Sequence, residues 1–321
     1  MMHVATLGCE ERHRQPEHQI HMTLIFAGHQ SQSSFKNGLF VIGDSAITSG
    51  TKTLLSGFKK VYPLPIKLWK PTITGGQSKG YKLVYQEQEG FAAFAGSTLT
   101  SQHYLNAVIE HLSNLRISCE KEGPFHAKVK WLCQENPILD NSIRWDDDLF
   151  FQDDFKTLLA EDLIVDTAQH ALEAAVRSAK RYKLDEDSFN LLLNEFAFGF
   201  RDPQNYSKYC LYHFWMSREQ VGGMAQIKVN HRKVEPQELI VLGMDKRFGA
   251  SARQAFDLAL ASGGDTENVL WNNLESAIDL IKKSGDAGID KPIVKWHLNN
   301  SSPKLRLMQK SRASDIEQND F

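Results

Sequence analysis

The chain has 321 residues, enough for one large hydrophobic core or two modest ones. With 41% hydrophobic and 24% charged residues and a formal net charge of −2, it has the composition of a globular protein and no electrostatic case for binding nucleic acid or a membrane surface. No apolar run approaches the roughly 20 residues of a membrane span. The first 22 residues carry four histidines and several charges but no apolar core, so they do not read as a secretory signal.

The expected organisation is a polar appendage or propeptide at 1–22, a single domain at 23–298 and a polar tail at 299–321. Within the domain, Thr23-Leu24-Ile25-Phe26-Ala27-Gly28 and Gly38-Leu39-Phe40-Val41-Ile42-Gly43 read as two strands joined by a polar turn. Both are apolar nearly throughout, as expected of a hairpin covered on both faces. The segment 62–80 reads as an inserted loop or ribbon, because Pro63, Pro65 and Pro71 would each remove a donor from a central strand. Strands resume at 81–85 and 91–95, and Gly96-Ser97-Thr98 opens a helix that Ser97 or Thr98 can cap.

Residues 116–160 interrupt the pattern and read as a second insertion. The acidic aromatic stretch from Trp145 to Asp154 lacks the glycine and terminal glutamate of a calcium loop, so a surface loop or partner contact is expected there. A helix follows over 163–183, then, after a connection near Pro203, strands at 209–217, 226–230 and 239–242. Helices at 250–262 and 266–283 and a strand at 293–298 complete the domain. This order indicates a layered α+β domain and not an alternating βαβ one. Cys9, Cys119, Cys133 and Cys210 show neither CxxC pairing nor a histidine partner at zinc spacing, so free thiols and a cytoplasmic location are expected, with no metal and no cofactor.

Val41-Ile42-Gly43-Asp44-Ser45-Ala46-Ile47-Thr48, then Gly57-Phe58-Lys59-Lys60-Val61, then Ala93-Phe94-Ala95-Gly96-Ser97 carry the chemistry jointly. Taken singly, Asp44 is a turn cap, Lys60 a solvated lysine, Gly96 a tight turn and Thr23 a strand residue. In this order they resemble the proteasome β-subunit family, including its simpler bacterial peptidase relatives. Ile240-Val241-Leu242-Gly243 and Ser284-Gly285-Asp286-Ala287-Gly288 extend the resemblance, which covers about 23–115 and 205–298.

The resemblance implies an N-terminal-nucleophile hydrolase with a four-layer αββα sandwich. In such enzymes a free N-terminal threonine supplies both the attacking hydroxyl and, through its α-amine, the base. Carried over by motif, Thr23 matches the nucleophile, Asp44 and Lys60 the charge pair, Gly96 the oxyanion donor and Asp286 the acidic residue near the last helix end. Thr48 matches the position that pairs with an extended peptide substrate. Thr23 Oγ, Lys60 Nζ and Asp44 should then converge at one end of the hairpin, with the Gly96 amide nearby.

Four features depart from the family, among them a longer hairpin after Thr23 and the insertions at 62–80 and 116–160. Met22 precedes Thr23, so Thr23 is exposed only by an alternative start at Met22 or by processing. The family's Gly-Ser-Gly turn is replaced by Gly243-Met244-Asp245, which loses a supporting serine. The implied function is a threonine-type peptidase acting on peptide or protein substrates as a homo-oligomeric ring, with an ATP-dependent unfoldase as a further partner. An inactive proteasome-fold interaction protein and a small-molecule amidase remain the alternatives.

Overall fold

The computed structural model describes residues 23–35, 38–49, 52–120, 125–150, 155–179, 186–222, 224–286 and 288–299. The expected appendage before Thr23 and the tail after Asn299 lie outside these. The architecture is mixed α and β with mainly antiparallel strands.

A first sheet joins β1 (Leu24–His29), β2 (Leu39–Gly43), β14 (Leu239–Gly243) and β15 (Val294–Leu298) in the order β14-β1-β2-β15, antiparallel throughout. Every residue of β1 and β2 is buried. Successive side chains of a strand point to opposite faces, and both faces here meet apolar partners. Leu24, Phe26, Phe40 and Ile42 pack against Phe256 of α4 (Ala250–Ser262) and Leu270, Leu274 and Ile278 of α5 (Thr266–Ser284). Ile25, Ala27, Leu39 and Val41 join a separate cluster with Phe91, Ala93, Ala95, Ala197 and Leu211 of the second sheet. Double coverage explains why the two strands are continuous apolar runs.

The second sheet has the order β13-β12-β11-β8-β5, with β5 (Val61–Pro63), β8 (Phe91–Ala95), β11 (Glu195–Asp202), β12 (Asn205–Val221) and β13 (Met224–Lys233). Its alternate residues Ala92, Phe94, Phe196 and Phe198 pack with Tyr104, Leu105 and Leu112 of α1 (Thr98–Ser113) and Ile164, Ala168 and Leu172 of α2 (Glu161–Ala179). Burying a phenylalanine fully contributes about 1.5–3 kcal/mol before cavity effects, so these aromatic rows hold the helices to the sheet. A short α3 (Glu186–Asn190) precedes β11.

Helix ends follow local chemistry. Asp265 caps α5 by accepting from the N–H groups of Glu267 and Asn268 at 3.1 Å, and Gly285 ends it in the left-handed region. Ser97 occupies the N-cap position of α1, but its side chain makes no capping bond, contrary to expectation.

The sequence expectation differs from the structure in three further places. β11 falls in a region not read as a strand, and Pro203 lies in the turn between β11 and β12. The 62–80 segment is a ribbon and not a loop, but the hairpin of β6 (Ile66–Thr74) and β7 (Gln77–Glu87) runs on past 80 and takes in the strand expected separately at 81–85. Pro71 sits within β6, and the neighbouring β9 (Leu115–Cys119) pairs with β6 only at Leu68 and Trp69, so the missing donor costs no bond on that side. Finally, 116–160, read as an insertion that interrupts the pattern, carries regular structure of its own. It supplies β9 and β10 (Ala127–Lys130), completing a sheet of order β10-β9-β6-β7, and buries Ile138, Phe150 and Leu159. Within the acidic stretch, the Asp147 carboxylate accepts from the backbone N–H groups of Gly75 and Gly76 at 3.0 and 2.9 Å, clasping the β6–β7 turn.

Candidate active site

The site is assembled at the ends of three strands, two neighbours in the first sheet and the edge strand of the second. Thr23 immediately precedes β1, Asp44 immediately follows β2 and Lys60 immediately precedes β5. Antiparallel pairing of β1 with β2 sets Ile25 opposite Gly43, so the residues flanking these strands meet at one end of the hairpin. Lys60 is fixed through its carbonyl, which accepts from Phe94 N at 3.2 Å. Its ammonium then donates to Thr23 Oγ1 at 3.0 Å and to Asp44 Oδ2 at 2.8 Å.

All three side chains are withdrawn from solvent, with residue exposures of 5% for Thr23, 1% for Asp44 and 3% for Lys60. Asp44 is also held by the backbone: Leu24 N donates to Oδ1 at 2.9 Å and Ala46 N to Oδ2 at 3.0 Å. Burial pushes the Asp44 carboxyl upward, while the Lys60 ammonium and these two amides pull it back down. Every group around it is a donor aimed at a carboxylate oxygen, so its surroundings satisfy the ionised form. The result is a fixed positive charge against a threonine hydroxyl, arranged to stabilise negative charge developing on that oxygen.

Other expected members occupy different positions. Gly96 follows β8, at φ +133°, and a Cβ there would lie 2.1 Å from Asn194 Oδ1. The position therefore demands glycine on two counts. Thr48 is half-buried in β3 (Ile47–Ser49), which pairs with β4 (Lys52–Leu55) in a separate two-stranded ribbon just beyond Asp44. Asp286 stands apart. Its exposed carboxylate accepts from Arg247 at 3.1 Å and from Ser284 Oγ at 2.9 Å, and among the described residues it makes no hydrogen bond to Thr23, Asp44 or Lys60. Hydrogen bonds from Ser284 and the Arg247 guanidinium hold it below its ordinary carboxylate range.

The Gly243-Met244 turn grips the backbone of Thr23. Met244 N donates to Thr23 O at 2.8 Å, and a Cβ on Gly243, whose φ is +84°, would lie 2.0 Å from that oxygen. The Met244 side chain turns into the apolar core with α4 and α5.

Two residues here were not anticipated. Glu195, the first residue of β11, accepts from Gly243 N at 3.3 Å, and burial pushes its carboxyl upward. Asn194, fully buried, accepts from Ser101 Oγ at 2.7 Å and backs Gly96. The one signal in the sequence is a polar Asn-Glu pair directly ahead of the aromatic run Phe196-Ala197-Phe198.

Among the described residues no helix is long and apolar enough to cross a membrane. No protein-family model matches the chain, and no curated protein matches it in sequence.

Proposed function

We propose that the chain is a threonine-type N-terminal-nucleophile hydrolase of the proteasome β-subunit kind, cleaving peptide bonds with Thr23. The observation that carries this reading is the buried Lys60 ammonium bridging Thr23 Oγ1 and Asp44 Oδ2. The reading takes the fold as a four-layer αββα sandwich. It is supported by the α4/α5 cluster outside the first sheet, the apolar cluster between the two sheets and the α1/α2 cluster outside the second.

In the proposed reaction Thr23 Oγ adds to the scissile carbonyl carbon, and its proton passes to the free α-amine of Thr23. An unperturbed α-amine has a pKa of roughly 7.7–8.0, which suits it to hold a proton transiently near neutral pH. Lys60 favours the alkoxide by charge, and Asp44 keeps Lys60 charged. The carbonyl oxygen, now an oxyanion, takes a hydrogen bond from the Gly96 amide. Collapse returns the proton to the departing amine and leaves an ester on Thr23. Water then hydrolyses the ester by the same proton route. The backbone at Thr48 pairs with the extended substrate, while Asp286 is left as a structural partner of Arg247.

The base exists only when the Met22–Thr23 bond is absent. A chain begun at Met22 should lose that methionine, expose Thr23 and hydrolyse small peptide amides. A threonine-directed electrophile should label it at Thr23, and Thr23→Ala should be inactive while folded. A verified Thr23 N-terminus with neither turnover nor labelling would overturn the reading. That result would favour the second one, an inactive proteasome-fold interaction protein, which the buried Met244 in place of a supporting serine favours. Ring assembly belongs to the same proposal, and a stable monomer at micromolar concentration in sedimentation would count against it. An ATP-dependent unfoldase would be the partner of such a ring.

A further inference from the structure

Far along the chain from Thr23, the fold brings together three residues with no sequence proximity. His111 lies in the last turn of α1, His170 in the middle of α2, and Cys133 in the turn after β10. One ligand atom from each lies within 4.8 Å of the other two. Cys133 Sγ is 3.0 Å from His170 Nε2, and the His111 and His170 rings meet edge to face with centroids 5.6 Å apart.

The two imidazoles are oriented by their surroundings. His111 Nδ1 is 2.9 Å from the Ala107 carbonyl, which can only accept, so Nδ1 carries the proton and Nε2 keeps its lone pair. That Nε2 is buried and has no hydrogen-bond partner. A ring nitrogen held by a backbone carbonyl on one side, with a free lone pair on the other, is the arrangement that metal-ligating histidines use. The Trp131 ring packs against His170 with centroids 4.4 Å apart and limits its rotation. Gln134 and Trp131 close the turn bearing Cys133 through reciprocal bonds at 3.1 Å.

We propose that His111 Nε2, His170 Nε2 and Cys133 Sγ bind a zinc(II) ion that staples α1, α2 and the turn at 131–134, with water as the fourth ligand. Ligand distances of about 2.0–2.3 Å place tetrahedral ligand atoms roughly 3.3–3.8 Å apart, a spacing this cluster reaches by small side-chain movements. One thiolate with two imidazoles suits zinc and disfavours magnesium and calcium, which take oxygen ligands. On binding, the Cys133 thiol releases its proton to solvent as the zinc–sulfur bond forms. A second cluster, Glu161, Asp202 and Cys210, is a poorer cation site, because the Lys208 and Lys233 ammonium groups already engage its carboxylates.

The test uses the full chain, freed of metal by chelation and kept reduced, titrated with Zn²⁺ and separately with Co²⁺. Because residues 1–22 contain Cys9 and four histidines, Cys9→Ser is the necessary companion to Cys133→Ser. The expected result is one zinc per chain bound at Cys133, with a thiolate-to-cobalt absorption band in the near ultraviolet. Cys133→Ser should abolish the band and Cys9→Ser should leave it. His111→Ala and His170→Ala should each weaken zinc binding about tenfold or more, and zinc should raise the Tm of the parent chain but not of these variants. Cys133 is exposed, so its serine variant should fold in any case. A zinc Kd weaker than about 100 μM, a band that survives Cys133→Ser, or binding of copper(I) but not zinc would overturn the proposal.

Discussion

Asp44 and Leu24 hold each other by reciprocal hydrogen bonds: the Leu24 amide donates to Asp44 Oδ1 at 2.9 Å, and the Asp44 amide donates to Leu24 O at 3.2 Å. The carboxylate is thereby locked one residue past Thr23 by backbone alone, before Lys60 contributes anything. Lys60 closes an arrangement whose other parts are already fixed.

This predicts unequal costs for breaking the pair. Asp44→Ala leaves the Lys60 ammonium buried without a counter-charge and should cost about 3–5 kcal/mol. Lys60→Met should cost less, because burial already pushes the Asp44 carboxyl upward and it can take a proton instead. Such a raised carboxyl favours the folded state at low pH and loses that contribution as pH rises through its folded value. Urea unfolding of Lys60→Met should therefore show stability, relative to the parent chain, improving as pH falls from 7 to 5. Equal costs at both pH values would contradict this.

Gly243→Ala should be among the most disruptive single substitutions. The new methyl would meet the Thr23 carbonyl at 2.0 Å, and φ +84° is strained for any L side chain. A loss of about 2 kcal/mol or more is expected, measured by denaturant unfolding. An active chain should also lose turnover, since the clash displaces Thr23 itself.

Buried histidines should make the fold acid-sensitive. Burial lowers His29 from 6.5 to about 4, against the raising effect of the Val234 carbonyl and with help from Lys233. Burial also lowers His213 from 6.5 to about 4, with Arg232 and Arg253 adding to it. Between these values the unfolded chain binds protons that the folded chain refuses. Stability should therefore fall as pH drops from about 6.5 to about 4 and level off below, by on the order of 3 kcal/mol for each histidine at most. Thermal melts across that range should show a shallower slope for His29→Gln and for His213→Gln. An unchanged slope in both would sink the assignment.

Asp147→Ala should release the β6–β7 turn. Hydrogen exchange at the Gly75 and Gly76 amides, both bonded to that carboxylate, should accelerate while exchange in β1 and β2 stays unchanged. Unaltered protection at the two glycines would show that the turn does not need the clasp.

Legibility in the sequence tracked locality. β1, β2, β8 and β14 were readable because short apolar runs ended at clear turn residues, and α4 spans the expected 250–262. β11 is not, because its aromatic run has no clear turn residue ahead of it and Pro203, directly behind it, marks the segment as a connection. β9 and β10 were hidden because they alternate apolar and basic residues (Arg116, Ile117; Lys128, Val129, Lys130) on strands too short to show a period. Thr23, Asp44 and Lys60 are legible only through the order of motifs that resembles the proteasome β-subunit family, since each taken singly is an ordinary residue at a strand end. Glu195, Asn194 and the His111–Cys133–His170 cluster are not legible, since only tertiary packing makes them neighbours.

The sheet made of β6, β7, β9 and β10 draws its strands from two stretches of chain separated by β8 and α1. Neither stretch is a self-sufficient module. Deleting 62–80 would strip β9 of its partner β6, and deleting 116–160 would remove β9, β10 and the Asp147 clasp, leaving β6 and β7 as a bare ribbon. Anyone trimming this protein to a minimal scaffold, or grafting its accessory sheet elsewhere, would have to move both stretches together as one inheritable unit.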